Sequence, residues 1–445
     1  MKIVHLGNFD GGDGPSIAAY RLHRGLLRLG HDSTMFVAEK RTDDAMVMCY
    51  QQPDDLASRI GRRLRRRRIT RSWARYQNFR PAGHELFSDD RTPYGADLLD
   101  QLPAADVINV HTIRLFADYQ AFFSVVPKQT PVVRILHDMN FFTGGCHTPE
   151  TCNKYVERCG ACPQLGSRAE EDLSRQVWQR KHAALNTIDP GRLHIVTASR
   201  FMATEAKRSS LLEKFPVTRI PFGLELEDFC PRDREFARQM LGITPDAYVV
   251  VFVAEPISRR VKGFALLAQA LNGLSDINNL LLISMGSGNP PAEVKIPHLR
   301  LGHVRNDRLR SMVYSAADVF VVPSLQESFS LASIEAMACG IPVVGFAVGS
   351  IPELVRPDIT GLLAPAQDVA ALRVAIRELL QNPRRRSEMA ANCRRIAVEE
   401  YSLDVYVQRY IELYQSILAG DILAHSLDKS VSYSKPVEMN GSFGL

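Results

Sequence analysis

Short β-branched runs alternate with amphipathic stretches along nearly the whole chain, and no other feature constrains the fold as much. Residues 2–7, 33–38, 106–110, 132–137 and 193–198 read as strands, with a helix over 16–29. After Pro221 the pattern starts again. Strands are predicted over 248–254, 280–285 and 318–322, and helices over 264–274, 307–316 and 331–339. Strands and helices alternating at this spacing pack as parallel sheet with right-handed crossovers. The expectation is an α/β chain with two doubly wound, Rossmann-like domains.

A length of 445 residues suits two domains of roughly 200 residues each. Residues 216–231 hold three prolines and little periodicity, so the connection is expected there. The reading is a first domain over 1–215 and a second over 216–400. A last helix over 401–420 would fold back on the first domain, and 421–445, Ser-rich and aperiodic, would be a disordered tail.

The net charge of +5 is too mild to imply a nucleic-acid partner, and 45% hydrophobic with 23% charged residues is ordinary for a globular chain. No stretch approaches the roughly 18 uninterrupted apolar residues of a membrane span. The start, Met1 to Gly7, reads as a strand and not as a secretory leader. A cytoplasmic protein is the expectation, with its eight cysteines reduced or ligating metal.

The most informative stretch runs from Glu327-Ser328-Phe329-Ser330-Leu331 through Glu335 to Gly340. It follows a strand and opens a helix. The backbone N–H groups of Phe329, Ser330 and Leu331 thus sit at a helix N-terminus, where a diphosphate is favoured. Ser328 and Ser330 can cap that helix. By itself, Glu-x7-Glu is equally the pattern of a capped helix with surface carboxylates. Its flanks extend the pattern over some forty residues, through Gly349-Ser350-Ile351-Pro352-Glu353-Leu354 and Thr360-Gly361-Leu362-Leu363.

This whole stretch resembles the donor-binding signature of retaining glycosyltransferases of family 4, which have the GT-B fold of two Rossmann-like domains facing a cleft. The resemblance implies that Glu327 contacts hydroxyls of the donor sugar and Glu335 the ribose. It also implies a nucleotide-sugar donor, UDP- or GDP-linked, and retention of anomeric configuration.

A cation for the leaving diphosphate is expected on the opposing loop, and Arg259-Arg260-Val261-Lys262-Gly263 follows the 248–254 strand directly. Lys262 and Arg260 are the candidates to neutralise charge that develops on the β-phosphate. A solvated basic loop is the plainer alternative.

In the first domain, Gly11-Gly12-Asp13-Gly14 opens the first helix. Glycines allow close backbone approach, and the loop resembles the glycine-rich loop of the same family, which makes Gly12 and Gly14 donor-binding candidates. The continuation Ala18-Ala19-Tyr20-Arg21-Leu22-His23 resembles a subgroup that builds bacterial surface polysaccharides. His137 ends a strand at the edge where open α/β sheets bind ligands. In related enzymes a histidine there lies beside the donor sugar, so His137 is a catalytic candidate, ahead of His111. No nucleophile elbow, Walker lysine or Asp-x-Asp metal motif is present. Catalysis is therefore expected to need no metal cofactor.

Two features stand apart. Cys146, Cys152, Cys159 and Cys162 fall within seventeen residues, spaced C-x5-C-x6-C-x2-C. Four thiolates can close a structural zinc site. Ordinary thiols, a disulfide or an iron–sulfur site are the other readings. The flanks (Leu136 to Met139, Thr143 to His147) resemble an insertion, about 139–166, of the polysaccharide subgroup. Residues 59–75 carry nine arginines and no acid. They suit contact with anionic lipid headgroups at the inner face of a cytoplasmic membrane, or form a solvated basic loop.

The functional expectation is a glycosyltransferase acting on a glycan or lipid-linked acceptor in surface polysaccharide synthesis. A nucleotide-sugar epimerase on the same fold and a catalytically inactive sugar-nucleotide-binding scaffold are the alternatives.

Overall fold

The computed structural model describes residues 1–421 except 82, 84, 85 and 96. The tail expected at 421–445 lies, from residue 422 on, outside the described residues.

Two all-parallel sheets form the molecule. The first contains β1 (Lys2–Phe9), β2 (Asp32–Glu39), β3 (Val47–Cys49), β4 (Val107–Val110), β5 (Val132–Leu136), β6 (Leu193–Thr197) and β7 (Val217–Arg219), in the order β3-β2-β1-β4-β5-β6-β7. The second contains β8 (Tyr248–Val253), β9 (Leu280–Met285), β10 (His298–Arg300), β11 (Val319–Val322), β12 (Val343–Phe346) and β13 (Gly361–Ala364), ordered β10-β9-β8-β11-β12-β13. Every residue of β4, β5, β11 and β12 is buried, because helices cover both faces of a parallel sheet. That is why these strands are predominantly apolar, with Asn109 and Arg134 the buried polar exceptions.

The direction of winding reverses between β1 and β4 in one sheet and between β8 and β11 in the other. At such switch points the loops after the strands diverge and leave a crevice. The loops after β1, β5, β8 and β11 all open into one cleft of about 1760 Å³.

The helix Gly14–Arg28 starts where the Asp13 side chain accepts from the Ser16 N–H, and it buries Ala18, Leu22 and Leu26. Against it packs the last helix, Leu403–Ala419. A Cβ on Gly25 would lie 2.3 Å from Val407 Cγ2, so glycine sets how closely the two helices approach. The last helix buries Leu403, Val407 and Ile411 on that side, each stabilising by about 1.5–3 kcal/mol. Asn109 Nδ2 donates to Tyr414 Oη at 2.6 Å, tying β4 to the same helix.

Two expectations are corrected, and several short strands are added. The first sheet runs past residue 216, because β7 pairs with β6 through Val217–Arg219; the crossover therefore begins after it. The short strands β3, β7, β10, β12 and β13 were not foreseen, since three or four residues carry too little period. Arginines of 59–75 lie in a helix, Leu56–Ala74, capped by Asp55, and not in a loop. Trp73 stacks on Phe87 at 5.6 Å and anchors one side of this helix, while Ile60 and Leu64 stay exposed on the other.

Candidate active site

Two glycines bring the second-domain loops together. A Cβ on Gly263 (φ +74°) would sit 1.8 Å from the Pro323 carbonyl oxygen, and one on Gly349 (φ +53°) 2.2 Å from that of Glu327. Only glycine lets the loop after β8 and the segment after β12 lie against the loop after β11. The Leu325 N–H donates to the Val261 carbonyl at 2.7 Å, and the Ser350 N–H to the Glu327 carbonyl at 2.9 Å.

The result is a half-buried ion pair at the cleft wall. Lys262 Nζ donates to Glu327 Oε2 at 2.7 Å, and Ser324 Oγ donates to the same oxygen at 3.1 Å. Glu327 is 8% exposed, so it meets the cleft with one face only. Just beyond it the helix Leu331–Ala338 begins, capped by Ser330, whose side chain accepts from the Ser333 N–H. Ser328, Phe329, Ser330 and Leu331 all line the cleft, as expected of a helix N-terminus open to an anion. Ser199 Oγ of the first domain donates to the Ser328 carbonyl at 2.8 Å.

Glu335 also reaches this wall, but it does not offer a free carboxylate. It is 1% exposed. Its Oε2 accepts from Arg310 and, at 3.1 Å, from Tyr314 Oη, while Arg21 of the first domain stands 3.6 Å from Oε1. Burial pushes its pKa up, and the two arginines oppose that shift. Arg21 also pairs with Asp307 at 3.1 Å, so this ion network spans both domains. Arg310 was missed in the sequence. Twenty-five residues from Glu335, it had no signal beyond a place on the helix Asp307–Ser315.

Arg260 lines the cleft, yet its guanidinium is engaged across the gap. It pairs with Glu150 and donates to the Gly83 carbonyl at 3.1 Å. Of the two candidate cations, Lys262 is the one beside Glu327. Glu150, which sequence reasoning also missed, lies in the cysteine-bearing segment, and its N–H donates to Gln326 Oε1 at 2.9 Å.

On the first-domain side, Gly12 and Gly14 line the cleft. Gly14 faces Leu331, whose Cδ1 would lie 3.7 Å from an added Cβ. His137 follows β5. Its ring stacks on Phe222 at 5.3 Å and on His111 at 5.5 Å. His137 Nε2 lies 3.3 Å from His111 Nδ1, and His111 Nε2 lies 3.1 Å from His5 Nδ1, a file of three imidazoles running inward. Burial, then the nearby Arg134, lowers the His137 pKa to about 4, so the ring is neutral near pH 7. Beside it, burial would raise the Asp138 carboxyl, but His147 Nδ1 at 2.7 Å holds it well below the usual range.

None of the eight cysteines is joined in a disulfide in this structure. Cys146, Cys152, Cys159 and Cys162 line one small void away from the cleft. Among the described residues, no helix is long and apolar enough to cross a membrane.

Residues 247–382 match the family described as Glycosyl transferases group 1. The chain is 32% identical to D-inositol 3-phosphate glycosyltransferase 1 of Catenulispora acidiphila over 217 residues, covering 44% of this chain and 51% of that protein. It thus spans about half the length of the curated relatives it matches. Among solved structures, sucrose-phosphate synthase from Thermosynechococcus elongatus superposes with a TM-score of 0.65 at 20% identity, over 94% of this chain and 100% of that one. Anabaena HepE, solved with UDP and glucose, gives 0.60 at 16% identity over the same shares. Likeness at this identity concerns the fold. The fold is GT-B: two parallel-sheet domains around a cleft.

Proposed function

For a GT-B chain whose residues 247–382 match the group 1 glycosyl transferases, we propose a glycosyltransferase. It would move a sugar from a nucleoside-diphosphate sugar to a glycan or lipid-linked acceptor in surface polysaccharide synthesis, with retention of configuration. The observation that carries this reading is the Lys262–Glu327 pair, 2.7 Å apart, at the mouth of a helix N-terminus. An ammonium and a row of backbone N–H groups stabilise a leaving diphosphate as negative charge builds on it. The carboxylate beside them accepts hydrogen bonds from sugar hydroxyls, and neutral His137 faces it from the other domain. HepE, with the same fold, is described in complex with UDP-glucose, which favours a UDP-sugar donor.

The acceptor end rests on the first domain. The subgroup resemblance of residues 18–23 and of the cysteine segment favours a polysaccharide acceptor. The relative from Catenulispora is named for D-inositol 3-phosphate, so that small phosphate is the competing acceptor. Cytoplasmic placement at an anionic membrane surface, through the arginine-rich helix Leu56–Ala74, belongs to the same proposal.

A thermal-shift panel of UDP-, GDP- and ADP-sugars, followed by a transfer assay with lipid-linked glycans and with inositol 3-phosphate, tests it. Stabilisation by one nucleotide-sugar, then nucleoside diphosphate release that requires a glycan acceptor, is the expected result. Turnover of donor without any acceptor would favour an epimerase, and no stabilisation by any nucleotide-sugar would overturn the reading.

A further inference from the structure

The segment between β5 and the helix Leu173–Asn186 contains only three single-turn 3-10 elements, yet much of it is buried. Cys146, Cys159 and Cys162 are each 7–8% exposed, and Cys152 is half-buried. These four side chains border a common void of about 20 Å³, room for one water-sized particle. The other four cysteines lie outside it.

The backbone around the void is arranged for sulfur as an acceptor. The Gly144 N–H donates to Cys159 Sγ at 3.0 Å, and the Cys162 N–H donates to Asp172 Oδ2 at 2.8 Å, which fixes the backbone that carries that thiol. A Cβ on Gly144 would lie 2.6 Å from Cys159 Cβ, so glycine is what admits this contact. Within Cys159-Gly160-Ala161-Cys162, Gly160 (φ +153°) and Ala161 (φ +42°) turn the chain so that both thiols come to one side. Ala161 in the left-handed region costs of order 1–2 kcal/mol, which surrounding interactions must offset.

Positive charge is also built in. Lys181 is 1% exposed, and its ammonium donates to the carbonyls of Asn140 and, at 3.0 Å, Thr143. Lys154 Nζ donates to the Gly160 carbonyl at 3.0 Å.

We propose that Cys146, Cys152, Cys159 and Cys162 bind one structural Zn²⁺ ion. Four S–H groups lose their protons and four Zn–S bonds form, so one Zn²⁺ displaces four H⁺ and the site carries −2, offset by Lys181 and Lys154. Among the described residues, no group of three ligating side chains is placed to hold a metal ion as it stands, so the proposed site requires the four sulfurs to converge by side-chain rotation as the ion enters. Thiols left unligated in this void would act only as small, weakly accepting groups, a poor partner for the Gly144 N–H directed at Cys159 Sγ. The ion would brace a loop that touches the cleft. Cys152 lies two residues from Glu150, the partner of Arg260 and Gln326, so the site holds the first domain's contact with the loops after β8 and β11.

The full-length chain, purified under reducing conditions from zinc-containing medium, decides the matter. Elemental analysis should give about one zinc per chain. Four thiols should resist a thiol reagent until a strong chelator is added. Cobalt(II) in place of zinc should give thiolate-to-cobalt absorption and the visible bands of a tetrahedral site. Cys159→Ser should lose the ion and Cys230→Ser should keep it. Less than about a tenth of a metal equivalent, with no cobalt–thiolate band in the wild-type chain, overturns the site whether or not Cys159→Ser folds. Iron with inorganic sulfide in place of zinc overturns it equally. None of these readouts depends on glycosyl transfer.

Discussion

Lys262 Nζ lies 2.7 Å from Glu327 Oε2, and this contact joins two loops 65 residues apart in the chain. Replacing Lys262 with alanine removes the ammonium nearest to where a diphosphate would leave, and leaves Glu327 with Ser324 as its remaining partner on Oε2. A lost charge-assisted contact costs about 1.5–3 kcal/mol. Turnover of Lys262→Ala should therefore fall at least about tenfold with the circular dichroism spectrum unchanged. Steady-state kinetics close to wild type would remove Lys262 from the leaving-group role.

Glu335 should behave first as a structural residue. Its carboxylate is enclosed by Arg310, Arg21 and Tyr314, and breaking a buried pair leaves uncompensated charge worth about 3–5 kcal/mol. Glu335→Gln should lower the unfolding temperature and weaken nucleotide binding together. Weaker nucleotide binding with an unchanged melting temperature would instead mean that Glu335 serves the ligand alone.

Transfer activity should survive EDTA. Lys262 and the N-terminus of the helix Leu331–Ala338 supply the positive potential that a divalent ion would otherwise bring to the diphosphate. Prompt loss of activity, restored by magnesium or manganese, would contradict this. Slow loss accompanied by unfolding would report on the cysteine site.

Stability should fall as the solution is acidified from about pH 6.5. Burial lowers both His137 and His23 from 6.5 to about 4. Between those values the unfolded chain binds protons that the folded chain refuses, so stability is full above pH 6.5 and is lost as pH drops toward 4. Thermal unfolding across pH 4–8 measures the slope, and His137→Phe, which keeps a ring for Phe222 to stack on, should reduce it. A midpoint independent of pH below 6.5 would show that these rings protonate freely in the folded state.

Local pattern made much of this protein legible. The longer buried strands announced themselves as largely apolar runs, because a parallel sheet covered on both faces takes apolar residues at most positions. The helix opening at Leu331 was readable from its Ser330 cap. Pairings across the chain were not readable. Nothing local to Arg260 points to Glu150, and nothing local to Glu335 points to Arg310 and Arg21. Such contacts depend on where the crossovers leave each loop and how the two sheets face each other. Charge and reach also do not reveal which carboxylate a buried arginine meets; only the packed arrangement leaves Lys262 and Glu327 facing the cleft while it seals Glu335 behind two guanidinium groups, because burying that carboxylate without them would cost more than the fold could bear.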